Sequence, residues 1–299
     1  MMRFLLVVVG LVCFAARPMH AQVSDSATKT VCASCVEWNA PQQPFRIYGN
    51  TYYVGTHGLS AILVTSDSGD VLIDGGLPES AAPIMANIAA LGFRVTDVKL
   101  IVNSHAHYDH AGGIAAIQRA SGAVVAATAP SARVMELGTS EPNDPQYGVL
   151  LSYPAIRTVR VLADGETVRV GPLALTAHLT PGHTAGGTSW TWRSCEAGRC
   201  LSMVYADSQT PVSADGFLYT SNKTYPSALQ DFARGQALLE QLPCDILITP
   251  HPGASQFWER MSAAPGATPA LVDGEACRRY AANARAAVAR RVASETAAR

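Results

Sequence analysis

The sequence predicts an α/β fold, and three observations carry that reading. Strand and helix candidates alternate through the middle of the chain after an opening run of short strands. Each cluster of chemistry-bearing polar residues begins where a strand candidate ends, after Val102, Leu179, Tyr205 and Ile248. The second half also repeats the logic of the first, with a strand running into a glycine-rich turn that carries histidine. No linker or break in composition divides the chain, so residues 22–299 are expected to form one domain. At 48% hydrophobic and 15% charged, a chain of 299 residues can bury its core without a staple or a partner.

A polar arm runs to about Pro44. Arg46 to Tyr48, Thr51 to Val54, Ala61 to Val64 and Val71 to Asp74 are short apolar or aromatic runs separated by Gly, Asn and Asp turns, which predicts an antiparallel meander. Gly75-Gly76 ends it. Ala81 to Leu91 places Ile84, Ile88 and Leu91 at helical spacing and stops at Gly92. Val98 to Val102 reads as a buried strand, followed by the turn Asn103 to Gly113, a helix to Ala120, a strand from Ala123 to Ala127 and a short helix near Pro130. Residues 138–154 are polar and irregular, and are expected to form a wall opposite the arm around Trp38.

Further strands are predicted at Val159 to Val161, Thr167 to Val170 and Leu173 to Leu179, the first two flanking Asp164-Gly165. Ser189 to Trp192 and Leu201 to Tyr205 flank the loop between Cys195 and Cys200. Ala228 to Leu239 reads as a helix, Ile246 to Ile248 as a short buried strand, and Cys277 to Val292 as a final helix rich in Ala and Arg. The apolar face of that last helix is thin, so it is expected to lie on the surface.

The first residues are of another kind. Arg3, the apolar run Leu5 to Ala16 and the small residue Ala21 have the layout of a signal peptide, too short for a membrane span. Residues 1–21 are therefore expected to be a leader cleaved near Ala21, with soluble release into the periplasm and no lipid anchor at Cys13. Cleavage would remove Arg3 and Arg17 and no acid, taking the formal charge from -1 to -3. A mildly acidic chain lacks the basic footprint for nucleic acid or anionic membranes. Six cysteines remain, an even number that suits disulfides in an exported protein. Cys195 and Cys200 bracket a tight loop, and Cys244 with Cys277 can staple a late strand to the last helix. Cys32 and Cys35 have redox-dithiol spacing but no strand before them and no evident helix after them. They read as a small structural bond or as two separately paired cysteines.

The chemistry concentrates in the strand-end turns. Five of the eight histidines lie there, His105, His107, His110, His183 and His251, with Asp109 as a sixth candidate ligand. His105 and His107, two apart, can point the same way from an extended turn, whereas Asp109 and His110 follow once the backbone has bent. Five imidazoles and one carboxylate suit zinc, and three ligands for each of two ions would use all six. Two such ions can activate water and polarise a carbonyl, so a hydrolase is expected. A structural zinc would not call for so histidine-rich a set without cysteine, and a noncatalytic metal-binding module would not need an open coordination position. His57 and His178 carry no such context and read as ordinary histidines.

His105-x-His107-x-Asp109-His110, His183 in Pro-Gly-His-Thr and the late His251 resemble the metallo-β-lactamase fold, a four-layered αβ/βα sandwich with two mixed sheets flanked by helices. More narrowly, the stretches Asn103 to Gly113, Thr180 to Trp192, Tyr205 to Ser208 and Leu242 to Ser255 are similar to the third, all-histidine dizinc subclass of metallo-β-lactamases. The resemblance implies a zinc-dependent β-lactamase acting on penicillins, cephalosporins or carbapenems, as a monomer. It implies that His105, His107 and His183 bind one zinc and Asp109, His110 and His251 the other, with Asp109 also orienting the attacking water. Ser208 and Thr210 match positions where family members use hydroxyls near the substrate. Relatives with a Cys195 to Cys200 type bond tie their arm to a cysteine in the Gly55 to Gly58 turn. This chain has His57 there, which leaves Cys35 as the implied partner of Cys32 and leaves fixation of the arm open. Glyoxalase II-like members use a metal-bridging aspartate, and Asp207 is close enough in sequence to raise that role; lactone, thioester or phosphodiester hydrolysis is thus the alternative activity.

Overall fold

The computed structural model describes residues 30–263 and 271–297. The leader expected at residues 1–21 lies outside them. In chain order the elements are α1 (Cys35–Trp38), β1 (Phe45–Tyr48), β2 (Thr51–Tyr53), β3 (Ile62–Val64), β4 (Asp70–Ile73), α2 (Ala81–Ala90), β5 (Val98–Val102), α3 (Tyr108–Ala111), α4 (Ile114–Ser121), β6 (Val124–Thr128) and α5 (Ala129–Leu137). The second half continues with β7 (Val159–Leu162), β8 (Thr167–Val170), β9 (Leu173–Leu179), β10 (Thr188–Glu196), β11 (Arg199–Tyr205), α6 (Ala228–Gln241), β12 (Ile246–Ile248), α7 (Phe257–Ala263) and α8 (Ala276–Ala297).

Strands β1 to β7 form one sheet in sequence order, antiparallel through β4 and parallel from β4 to β7. The parallel half needs a crossover between each pair of strands, and α2, then α3 with α4, then α5 with residues 138–158 supply them. The second sheet has the order β12-β11-β10-β9-β8 and is antiparallel except for the pair β11 and β12, which α6 connects. Tyr53, Ile62, Ile73 and Val102 on one inner face meet Trp190, Met203, Tyr205 and Ile246 on the other. Helices α2, α4 and α5 cover the outer face of the first sheet through Ile84, Ile117 and Met135, and α6 and α8 cover Val204 and Leu247 of the second. This is the αβ/βα sandwich with two mixed sheets. Every residue of β3 and β4 is buried, as strands covered on both faces must be.

The structure departs from expectation in four places. A single helical turn, α1, follows Cys32 in the arm, and another, α3, sits inside the histidine turn. Helix α7 occupies a stretch whose aromatic pair Phe257 and Trp258 packs onto Phe45 and Tyr53. The last helix is not confined to the surface: Ala276, Cys277, Tyr280, Ala281 and Ala284 are buried, because a stripe of small side chains permits close approach to α6 and β12. Its face is thin in hydrophobicity, not in contact.

All six cysteines among the described residues are paired, Cys32 with Cys35, Cys195 with Cys200 and Cys244 with Cys277. The arm is fixed without a cysteine at position 57. Thr56 Oγ1 donates to Trp38 O at 2.7 Å, the His57 amide to Ala40 O at 2.8 Å, and Ser80 Oγ to Asn39 Oδ1 at 2.6 Å. No helix among the described residues is long and apolar enough to cross a membrane.

The Cys244–Cys277 bond spans 33 residues, whereas Cys195–Cys200 spans 5 and closes a hairpin already held by its strands. Loop-closure entropy gives the longer bond about 3 to 4 kcal/mol. Urea unfolding of Cys244→Ser/Cys277→Ser is expected to show a loss of that size, with a much smaller loss for Cys195→Ser/Cys200→Ser.

Candidate metal centre

The site grows from the end of β5, and Asp74 fixes that end. This buried residue follows β4 with φ of 63°, the left-handed region that non-glycine residues rarely occupy. Its carboxylate accepts from the Ser104 amide at 2.7 Å, Ser104 Oγ at 2.7 Å, Asn103 Nδ2 at 3.0 Å and Tyr205 Oη at 2.8 Å. It thereby joins the ends of β4, β5 and, through Tyr205, β11 of the other sheet. Glycine lets the backbones close in behind. A Cβ on Gly113 would lie 2.2 Å from Gly75 O, and the Gly75 amide donates to His110 O at 2.8 Å. Tyr153 Oη, donating to Ala106 O at 2.8 Å, clasps the turn from the 138–154 segment.

On this frame His105, His107 and His183 converge, with ring centroids 4.6 to 5.0 Å apart and donor atoms within 4.8 Å of one another. Each ring is held by its other nitrogen. His105 Nδ1 lies 2.7 Å from Asp207 Oδ1, His107 Nε2 lies 2.9 Å from Asp144 Oδ2, and His183 Nδ1 donates to Thr210 O at 2.9 Å. Partners of this kind set the tautomer and leave the facing nitrogen for a metal. His183 reaches the site from the β9–β10 turn, which the Thr180 amide closes on Gly187 O at 2.9 Å.

A second group lies beside the first. Asp109 Oδ2, His110 Nε2 and His251 Nε2 form a triangle with sides of 3.3, 3.3 and 3.2 Å. Three ligands on a tetrahedral metal with bonds of about 2.0 Å would stand about 3.3 Å apart, so the donors fit zinc. His105 lies within reach of this group as well, its donor atom being within 4.8 Å of those of Asp109 and His110. His251 is held by Thr249 Oγ1, which donates to its carbonyl at 2.7 Å, and by the Trp38 ring 5.0 Å away.

Charge follows from burial and crowding. Burial and the neighbouring imidazoles hold His105 neutral far below the usual histidine range, while His183 is brought down to about 4 and His110 to about 3, burial being the largest cause in each. Burial opposes the Asp109 charge, yet His110, His251 and His107 together hold its carboxyl well below the ordinary carboxylate range. At His107 burial is outweighed by the Asp144 carboxylate, and its pKa rises. His105, His110 and His183 are thereby biased to the neutral imidazole and Asp109 to the carboxylate, the forms that metal ligation requires, whereas Asp144 draws His107 toward the charged form.

Asp207 stands behind His105. It is buried, burial pushes its carboxyl well up, and its backbone carbonyl accepts from Tyr280 Oη of α8 at 2.9 Å. Ser208 is buried next to it; Thr210 is exposed, with its hydroxyl 3.4 Å from His183 Nδ1. His57 stacks on Trp258 at 4.8 Å and His178 meets Thr191 Oγ1 at 2.8 Å, both away from the centre. The sequence reading missed Asp74, Asp144, Tyr153 and Tyr280 as supports. Only Asp74, an aspartate at a strand end before two glycines, left a visible signal.

A two-sheet αβ/βα sandwich with paired histidine and aspartate groups at its strand ends defines a metallo-hydrolase. The metallo-beta-lactamase superfamily pattern matches residues 54–253, and the chain belongs to that superfamily. It is similar to the Rm3 metallo-beta-lactamase, with 55% identity, a TM-score of 0.87 and coverage of 89% of this chain and 100% of that one. MEM-A1, a subclass B3 metallo-beta-lactamase from a soil metagenome library, shares 48% identity with a TM-score of 0.86, covering 88% of this chain and 100% of that one. A hydroxyacylglutathione hydrolase of Cereibacter sphaeroides is 34% identical over 110 residues, which are 37% of this chain and 34% of that enzyme. The chain thus spans about a third of that curated relative's length.

Asp74 makes two testable demands. Asp74→Ala leaves the Ser104, Asn103 and Tyr205 donors without their acceptor and is expected to cost about 3 kcal/mol in urea unfolding. Burial, opposed by those donors, pushes the Asp74 carboxyl up to about 7. An unfolded aspartate ionises near about 4, so the folded chain keeps this proton where the unfolded chain has lost it. The stabilising contribution is therefore lost as pH rises from about 4 to about 7. In metal-free protein the stability of wild type relative to Asp74→Asn should fall across that window; a constant difference would contradict the assignment.

Proposed function

We propose that the chain is a dizinc β-lactamase of the third subclass, with His105, His107 and His183 around one ion and Asp109, His110 and His251 around the other. The observation that carries this is the triangle of Asp109, His110 and His251, with Asp207 occupied at His105 Nδ1. A bridging aspartate of the thioesterase kind would have to leave that hydrogen bond. The lactamase likeness also runs the length of those solved chains, whereas the thioesterase likeness covers about a third. Zinc held here supplies Lewis acidity toward the lactam carbonyl and makes water a nucleophile near neutral pH.

The chain's own residues orient and bind. Asp109, kept ionised by its imidazole neighbours, can accept a hydrogen bond from the attacking water and aim it. Asp207 and Asp144 hold His105 and His107 in their ligating orientations. The exposed Thr210 hydroxyl, with Ser208 deeper in the turn, is suited to the substrate carboxylate. Trp38 lies against His251 and the 138–154 segment reaches His107 through Asp144, so both are suited to border a bound substrate. Three disulfides suit an oxidising compartment, in keeping with a periplasmic enzyme.

Metal analysis of dialysed protein should give two zincs per chain, with chelator-reversible activity; one or none overturns the reading. In an assay against a carbapenem, an acyl-glutathione thioester and a phosphodiester, the carbapenem is expected to be hydrolysed fastest. A thioester that outran every β-lactam would establish the alternative. His251→Ala should lose much of the second zinc and most turnover. Asp207→Asn, whose amide oxygen still accepts from His105 Nδ1, should keep both metals.

A further inference from the structure

The partners of His107 and His183 belong to two different irregular segments, and those segments are tied to each other. Asp144 holds His107 from the 138–154 stretch, and Thr210 holds His183 from the stretch after Asp207. The Ala214 amide donates to Pro145 O at 2.9 Å. A closed circuit results, from His107 to Asp144, to the adjoining Pro145, across to Ala214, back along the chain to Thr210 and on to His183, whose ring lies 5.0 Å from that of His107.

The two arms of this circuit are not equally supported. The 210–220 arm is pinned from behind by α8: Arg291 donates to Ser213 Oγ at 2.8 Å and Phe217 O at 2.9 Å, and Glu295 accepts the Tyr219 and Thr220 amides at 3.1 and 2.9 Å. The other arm is organised by Asp144. Its amide donates to Glu141 O at 2.8 Å, its Oδ1 accepts the Gln146 amide at 2.8 Å, and its carbonyl accepts the Tyr147 amide at 3.0 Å. One buried carboxylate thus carries both the turn at 141–147 and the orientation of His107. Tyr147 and Val149, large side chains that stand exposed, belong to that same arm.

We propose that Asp144 is a positioning residue that couples metal occupancy at His107 to the order of the 141–149 segment. The inference rests on the metal-centre reading above. Ligation at His107 Nδ1 fixes the proton on Nε2 and polarises that N–H toward Asp144 Oδ2. A stronger bond there holds the carboxylate and the turn built on it. By reciprocity, the ordered segment tightens metal binding at His107.

The test is amide hydrogen exchange on the full mature chain, metal-free and zinc-loaded, for wild type, Asp144→Asn and Asp144→Ala, with zinc affinity measured by chelator competition. Zinc is expected to slow exchange at Gln146, Tyr147 and Val149 in wild type and to leave them unprotected in Asp144→Ala. Affinity for the ion held by His105, His107 and His183 should fall about 10- to 100-fold in Asp144→Ala. Asp144→Asn, which accepts the proton without the charge, should fall in between. Wild-type affinity or wild-type protection in the alanine variant overturns the coupling. If the alanine variant does not fold, the asparagine variant decides, and wild-type behaviour in both readouts has the same force. A wild-type chain that takes up no zinc instead overturns the metal-centre reading itself.

Discussion

The buried Asp74 carboxylate is the interaction on which the rest of the site depends. Its four donors come from the end of β5 and from Tyr205 on the other sheet, so one side chain sets both the height and the mutual position of the two sheets where the ligands leave them. The arrangement is costly to build. A carboxyl is desolvated and a non-glycine residue is held at positive φ. Such a cost is tolerated only where geometry matters more than local stability, and Ser104, which donates to Asp74 twice, is followed directly by His105.

A similar economy runs through the imidazoles. No ring in the first group is left to find its own orientation, since each is gripped by a carboxylate or a carbonyl from another part of the chain. The grips come from Asp207, Asp144 and Thr210, all in irregular segments, and α8 supports two of them through Tyr280, Arg291 and Glu295. Loops can present a rigid site when the regular elements behind them saturate their backbone groups. Glycine makes room for this crowding: a Cβ on Gly187 would meet Asp207 Oδ2 at 2.4 Å.

Much of this was legible in the sequence. Most strands lie within a residue or two of their expected bounds, because burial between a helix layer and the facing sheet writes a strong pattern, whereas β10 runs four residues beyond Trp192 into the Cys195 hairpin. That these six side chains would be drawn together was legible because imidazoles at strand ends have no role in packing. Cys244 and Cys277 were legible because they flank the last strand and the last helix. What escaped was whatever tertiary contact alone determines. Asp144 is an unremarkable residue in a polar stretch until His107 is brought beside it. Helix α8 looked superficial because alanine adds little hydrophobicity per residue while allowing close approach, and Tyr280 gave no sign that its hydroxyl would reach Asp207. One-turn helices such as α1 and α3 are too short to leave a periodic signal.

The parallel pairing of β11 and β12 has a consequence in time. His251 emerges from β12, and its partner His110 lies 141 residues earlier. The three donors of the first group are all present once the chain has reached residue 183. The second triad must wait for the last strand to add itself to the sheet edge after α6 has formed. A chain stopped short of β12 carries the donors of the first group without the third member of the second, and the supports of His105 and His183 follow only with Asp207 and Thr210. The order in which the polypeptide is made is thereby the order in which the two groups gain their last donors, His183 first and His251 after it.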